Sequence, residues 1–569
     1  MPERRLNLTR EQQAMAELGR TDVSKPVQLL LTGVFLLMVF SVPFIQMIAE
    51  WSGRVPQDSE ARGLAAVQAL DVFKRAPSLD HFNRFENELD DRSIIGNYIL
   101  PRMQPIMISL GVGNASTLIG HDGWLHFADD VLHLTGRAFL APDVLLARAR
   151  AGDLTQRQTQ PDPIKAIIDF NDQLAARGIT LVIVPTPLKP QIYPETLSHR
   201  YIPDDAPLRN PSFEAFRDGI MAGGVALFDP APVLADIKRA GSIEPTYLRT
   251  DTHWTPAGMQ AVAEAMVEYL TTIGLDLPDL AQPPAYRTQN LEHSSHGDIF
   301  HMLALPDGVD VGYKPETVTL RQVLTLAETE TFIDDEDHQA PFEIEARIGD
   351  ITHPPRPGTV AYRDAVVSLL LHDVRAIDGR AIDDELLIYA LGMDDNNWTA
   401  FARFQAGEQI RLWIEPWTQV DDAYGSLQRL DITENMALIL TLNEYWARLE
   451  APDEADHDSQ TDHYWRRDEH GDILLMGDSF SNIYSRPALG WGRSAGLAEQ
   501  LSLLLGRPLD TIIIDGGGAM AGRRQLAGDM ARGRDRLAGK RLVIWQFATR
   551  ELSQGDWSLI ALPPPSATD

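Results

Sequence analysis

The chain has 569 residues, more than one hydrophobic core usually serves, so two or three folded units are expected. With 44% hydrophobic and 23% charged residues it has the composition of a globular protein, which excludes a disordered or fibrous chain. A formal net charge of -31 repels nucleic acid, and the lack of any cysteine excludes disulfides, thiolate nucleophiles and iron–sulfur clusters.

Residues 1–26 read as a cytoplasmic tail carrying Arg4, Arg5, Arg10, Arg20 and Lys25. Residues 27–49 carry no charge, and about 23 residues at about 1.5 Å each span a hydrocarbon layer of roughly 30 Å. Only Arg54 and Arg62 follow closely, so the charge bias keeps the N-terminus inside and predicts a single-pass inner-membrane anchor with the rest of the chain in the periplasm. A cleaved signal peptide fits less well, because the apolar run is too long and no A-x-A site follows.

Residues 50–119 are expected to form a helical lead-in, with helices over 62–75 and 82–89. The segment Gly120-His-Asp-Gly-Trp-Leu-His-Phe127 combines a turn signal with an aromatic strand and opens an α/β domain whose first part runs over 120–333. A proline-started, glycine-ended amphipathic helix at 163–178 leads into the apolar strand 180–184. The same unit recurs at 213–222 before 225–228, 494–505 before 511–514, and 522–537 before 541–547. Helices alternating with continuous apolar strands predict a doubly wound parallel sheet covered on both faces.

Between 334 and 450 the texture changes to short alternating runs at 365–371, 385–389, 398–404 and 409–414, with turn signals between them. This predicts a small antiparallel β-barrel or sandwich inserted into the α/β domain, whose second part is 451–569 and begins with an acidic linker. Trp398, Trp413 and Trp417 read as core of this insertion rather than as a glycan platform.

Two stretches carry chemistry. In Asp472-Ile-Leu-Leu-Met-Gly-Asp-Ser-Phe-Ser-Asn482 a buried strand ends in a small residue, an acid and a serine before a helix. Such a turn puts Ser479 at the carboxyl end of a parallel strand, where doubly wound sheets bind ligands and free backbone N–H groups can hold an oxyanion. The plain alternative is an ordinary strand-to-helix turn capped by Asp478 or Ser479. In Asp251-Thr-His-Trp-Thr-Pro-Ala-Gly258, Asp251 and His253 point to the same side of an extended segment, so the carboxylate can orient an imidazole that takes a serine proton. Helix capping explains Thr255 and Pro256 but leaves Asp251 and His253 unused. A metal site is the weaker alternative, as no third His or Asp cluster is evident nearby.

Together these motifs resemble the alginate O-acetyltransferase family of AlgX and AlgJ type. The resemblance runs through Phe85-Glu-Asn-Glu-Leu, Gly123-Trp-Leu, Val184-Pro-Thr-Pro-Leu-Lys-Pro-Gln-Ile-Tyr-Pro194, Asp251-Thr-His-Trp, Gly297-Asp-Ile-Phe and Gly477-Asp-Ser-Phe. It implies an SGNH-hydrolase-like fold and a periplasmic enzyme that acetylates an exopolysaccharide through an acetyl-Ser479 intermediate. His253 then maps to the general base and Asp251 to its orienter. The acetyl group would come from a membrane-bound O-acyltransferase partner, and neither cofactor nor metal is implied. The β insertion is a departure from the family.

For the oxyanion, Ser479, Gly516 and Gly517 are the candidates, the glycines because bare backbone after a strand approaches a ligand closely. Lys189, Tyr193, Trp254 and Arg550 follow strands or the histidine and are candidate substrate contacts, each with a structural alternative. Two rival functions use the same features. One is a carbohydrate esterase with the same triad; the other is a non-catalytic glycan-binding or assembly subunit of a secretion system.

Overall fold

A computed structural model describes residues 24–52, 93, 95–154, 160–200, 206–242, 244–275, 277, 280, 283–306, 308–325, 339–358, 360, 362–432, 439, 441–451 and 464–564. The arginines of the N-terminal tail, the helices expected at 62–75 and 82–89, and residues 452–463 of the acidic linker lie outside the described residues. The chain divides into two compact units, one of Met1–Ile106 with Leu305–Asp307, the other of Met107–Ala304 with Gly308–Asp569.

In the first unit helix α1 (Lys25–Trp51) includes a 25-residue, mostly apolar stretch, Lys25–Ala49. By length and composition it is sufficient to cross a membrane.

The second unit opens with the hairpin β1 (Thr117–Ile119) and β2 (Leu125–Phe127), in which Thr117 faces Phe127. Its turn contains Asp122 and Gly123 at φ of 54° and 79°, the left-handed backbone that tight hairpins need. A five-stranded sheet forms the centre, built from β3 (Thr180–Thr186), β4 (Ala226–Leu227), β14 (Ile473–Gly477), β15 (Asp510–Ile513) and β16 (Leu542–Ala548). Its order is β15-β14-β16-β3-β4 and every pairing is parallel. Successive strand residues feed opposite cores: Val182, Leu475 and Ile544 pack on one face, Leu181, Met476 and Trp545 on the other. That alternation explains why the strands read as unbroken apolar runs. After β14 the chain first goes outward to β15, then crosses back to β16 on the other side, so β14 ends at the switch point of the sheet.

Several boundaries differ from the sequence reading. The strand expected at 225–228 shortens to β4, which pairs with β3 through only two of its residues. The helix expected over 522–537 ends at Ala531, because Gly533 turns left-handed at φ 89° and breaks it. A long hairpin, β5 (Tyr286–Ser295) with β6 (Glu316–Thr325), was not anticipated at all. Most of β5 is exposed and polar, so it lacks the alternation by which strands are recognised.

The insertion forms a seven-stranded sheet of β7 (Phe342–Ile351), β8 (Ala365–Ala376), β9 (Leu386–Asp394), β10 (Asn397–Trp398), β11 (Gln409–Pro416), β12 (Gln428–Leu430) and β13 (Glu444–Arg448). The pairing of β9 with β8 closes β9, β13, β11, β7 and β8 into a ring. The expectation of a purely antiparallel barrel needs correction: β13 runs parallel to β9, and β12 parallel to β8. In a ring of five strands, directions cannot alternate all the way round, so one neighbouring pair must be parallel. Trp417 is buried against Tyr389 and Trp446, while Trp398 donates its indole N–H to the Pro355 carbonyl (2.9 Å).

Candidate active site

Strand β14 ends at Gly477, and the short helix α2 (Ser479–Asn482) starts immediately after it. Asp478 is its N-cap: one oxygen accepts from the Phe480 N–H (3.0 Å) and the other from the Ala548 N–H (2.9 Å), tying the turn to β16. A side chain at Gly477 would stand 2.6 Å from Ser481 Oγ and 2.9 Å from Gln546 Oε1, so only glycine fits that approach. The turn is thus fixed on three sides, and Ser479 is left partly exposed at the first helical position, where its N–H has no intrahelical acceptor.

The Asp251 segment lies against the same turn. Thr255 caps the helix Pro256–Thr272 by accepting from the Gly258 N–H (3.2 Å), as the local sequence predicts. Trp254 is fully buried, donates its indole N–H to the Phe480 carbonyl (3.0 Å), and its own carbonyl accepts from the Tyr484 hydroxyl (2.7 Å). These bonds join two stretches 226 or more positions apart.

The result is a continuous chain of polar contacts. Ser479 Oγ is 2.8 Å from His253 Nε2, and His253 Nδ1 donates to Asp251 Oδ1 at 2.6 Å. Asp251 Oδ1 also accepts from the His253 N–H (3.0 Å), while Oδ2 accepts from the Asp298 N–H (2.9 Å) and the Trp491 indole (2.8 Å). Burial opposes the charge on Asp251, yet the imidazole and these donors hold its carboxyl well below the usual carboxylate range. Burial likewise works against a charged His253, but the Asp251 carboxylate outweighs it and raises the imidazole above its ordinary value. Such an arrangement is able to draw a proton from a hydroxyl onto a held imidazole.

A third acid joins the group. Asp298 follows Gly297 and begins a short helix, α3 (Asp298–His301). Asp251, His253 and Asp298 offer possible ligand atoms within 4.8 Å of one another, so the sequence reading that no third acid lies near is corrected. As arranged, the pair Nδ1 and Asp251 Oδ1 at 2.6 Å shares a proton. Two atoms each about 2.0–2.1 Å from one tetrahedral ion would stand roughly 3.3 Å apart.

The four candidate substrate contacts lie elsewhere. Lys189 is buried, and its Nζ donates to the carbonyls of Leu248 (3.1 Å), Arg249 (3.0 Å) and Asp251 (2.6 Å), which clamps the loop beneath the histidine. The Tyr193 hydroxyl accepts from the Thr246 N–H (2.8 Å), and its ring stacks on Trp124. Arg550 pairs with the buried Asp130 (2.9 Å), and Trp254 is sealed inside. All four are therefore turned to the interior rather than to a ligand. Of the oxyanion candidates, Gly517 donates its N–H to the Ile514 carbonyl (3.1 Å) and is already engaged. Gly516 follows two residues after Ile514, whose N–H bonds the Gly477 carbonyl (3.1 Å), and its left-handed backbone (φ 65°) packs close to Gln428 and Tyr362.

Asp298 and Trp491 escaped the sequence reading. Gly297-Asp-Ile-Phe marked the first as part of a family pattern without a role, and no local pattern marks the second.

Comparison with known proteins bears on the arm of the site that carries Asp251, His253 and Asp298. Residues 117–340 match the family model described as "SGNH hydrolase-like domain, acetyltransferase AlgX"; Ser479 and most of the barrel lie beyond that match. Relatives described as "Probable alginate O-acetylase AlgJ" are 29% identical over 196 residues in Azotobacter vinelandii and 28% over 194 in Pseudomonas aeruginosa. Each alignment covers 34% of this chain and 43% or 42% of the relative, so the chain spans about two-fifths of the length of these relatives. Among solved structures, the "O-Acetyltransferase Domain of Pseudomonas putida AlgJ" aligns over 80% of this chain and 95% of that one at 15% identity. The TM-score of that alignment is 0.38. The resemblance read from the motifs is shown by the matches in sequence: over residues 117–340 the chain is similar to the SGNH hydrolase-like domain of acetyltransferases of the AlgX and AlgJ type.

Proposed function

We propose that the chain is a serine-dependent O-acetyltransferase that moves acetyl groups onto hydroxyls of an exopolysaccharide. The observation that carries this reading is the run Ser479 Oγ, His253, Asp251, with contacts of 2.8 and 2.6 Å. Serine is a weak nucleophile until a base takes its proton. His253 Nε2 accepts that proton as Oγ attacks the acetyl carbonyl, then delivers it to the departing donor group, leaving acetyl-Ser479. A sugar hydroxyl then gives its proton to Nε2 and attacks the ester, which returns the serine. The tetrahedral oxyanion in each step is held by the backbone N–H groups of Ser479 and Gly516.

The names of the curated relatives support alginate as acceptor, although a net charge of -31 also suits a neutral polymer. In this reading α1 is an inner-membrane anchor, the catalytic unit faces the periplasm, and a membrane-bound O-acyltransferase supplies the acetyl group.

The test is acetyl transfer from p-nitrophenyl acetate to alginate oligosaccharides, with Ser479→Ala alongside. Loss of turnover by a factor on the order of 10³ or more, with loss of labelling of Ser479 by a fluorophosphonate probe, is expected. Transfer that survives Ser479→Ala overturns the reading, and release of free acetate alone, whatever saccharide is supplied, makes the protein an esterase.

A further inference from the structure

The acid that the mechanism leaves unused is Asp298, and its contacts are unusually directed. Its Oδ1 accepts from the Thr252 N–H (2.7 Å), and its Oδ2 accepts from the Thr252 hydroxyl (2.5 Å). The Thr252 hydroxyl is in turn 3.1 Å from His253 Nδ1, and Asp298 Oδ2 itself stands 3.7 Å from that nitrogen. The Asp298 N–H meanwhile holds Asp251 Oδ2 (2.9 Å). One residue therefore touches all three members of Asp251-Thr252-His253. It reaches them because Gly297 passes so close that a side chain there would meet the Thr250 carbonyl at 2.3 Å and Asp251 Cβ at 2.5 Å. The Phe300 N–H to Thr250 carbonyl bond (3.1 Å) and the Gly297 N–H to Thr250 hydroxyl bond (3.2 Å) fix α3 in that position.

Resting on the acyl-transfer reading above, we infer that Asp298 is a positioning residue, which grips the Asp251–His253 segment and sets a second carboxylate against the imidazolium that forms during transfer. Around the ring the charged groups are Asp251, Asp298 and Asp478, with Asp515 near enough to feel the imidazole and the Lys189 ammonium bound to the Asp251 carbonyl. Burial and the neighbouring Asp251 push the Asp298 carboxyl up to about 7, so its charge is half developed at neutral pH and grows above it. A carboxylate beside the ring favours its protonated form; removing that charge lowers the imidazole pKa, and the acid limb of the rate profile moves to lower pH.

The experiment compares Asp298→Asn with wild type in the full chain in detergent, using p-nitrophenyl acetate as donor, with Ser479→Ala in parallel. For Asp298→Asn kcat is expected to fall about tenfold or more with KM within about twofold, and the acid limb of kcat/KM to shift toward acid. A role in folding alone would lower the melting temperature and leave that limb in place. Wild-type kcat and an unmoved limb in Asp298→Asn, with Ser479→Ala inactive, overturn the role of Asp298 while keeping the acyl transfer. An active Ser479→Ala overturns the acyl transfer itself. Should Asp298→Asn fail to fold, Thr252→Val removes the hydroxyl between Asp298 and the ring; the same direction of change is expected, and wild-type kinetics overturns the inference.

Discussion

Lys189 directs its ammonium at three main-chain carbonyls in the loop that carries the histidine, and no other buried cation touches that loop among the described residues. Replacing it by methionine keeps most of the unbranched apolar stem and leaves those carbonyls without a donor. Each buried unpaired polar group costs about 1–3 kcal/mol, so Lys189→Met is expected to lose roughly 3 kcal/mol or more in urea unfolding, and turnover with it. At this scale the sequence was informative wherever chemistry was local. Ser479, His253 and Asp251 sit in short motifs whose spacing already implies their geometry. Lys189, Tyr193, Trp254 and Arg550 are candidate substrate contacts because they follow strands or the histidine, each with a structural alternative, and each has an interior partner. Their partners, Asp251, Thr246, Phe480 and Asp130, lie between 53 and 420 positions away, a distance over which a linear pattern carries no signal.

Between residue and fold, the elements around the site are held by close approach of bare backbone. Gly297 is the sharpest case, since an added methyl meets backbone and Asp251 Cβ rather than a flexible side-chain end. Gly297→Ala is therefore expected to push α3 outward and break the bond from the Asp298 N–H to Asp251. The loss should appear as a lower kcat, about tenfold or more, at nearly constant KM, together with a lower melting temperature. Elements of strong period were legible: the helix at 163–175, strands β3, β14 and β16, and the capped start of the helix after Thr255. Strand β5 was not, because ladder bonds across to β6 hold it and its own residues are mostly wet.

Across the whole second unit, the barrel and the α/β part are joined by charge. Asp421 of the barrel pairs with Arg467 and Arg534, Asp431 with Arg524 (3.3 Å), and Glu444 with Arg532. Close to the nucleophile, the Asp515 N–H bonds the Ser426 carbonyl (2.9 Å), and Arg486 reaches Ser426 and the Ala423 carbonyl. Burial works against the charge of Asp431, but Arg429 and Arg524 hold its carboxyl below the usual carboxylate value. A carboxyl lowered by folding contributes stability that is present above its unfolded value, about 3.9, and is lost as pH falls through the folded one. Asp431→Asn is thus expected to be less stable than wild type at neutral pH, and the gap in melting temperature to close on acidification below pH of about 4. A gap that stays constant with pH would contradict this account. The insertion was visible in the sequence as a change of texture, whereas its attachment was not, because ion pairs between distant stretches leave no periodic mark.

The order of the central sheet has a consequence for how the molecule is made. Strand β3 rests on the two-residue β4 on one side, and on the other along its whole length on β16, with Thr180 opposite Leu542. During synthesis an apolar strand must therefore wait, one edge unsatisfied, until several hundred further residues have emerged. Long-range parallel pairing of this kind is slow to close and open to wrong partners. Strand β14, which presents Ser479, leans on β16 as well, so the grouping of Asp251, His253 and Ser479 is expected to be complete only once β16 has docked.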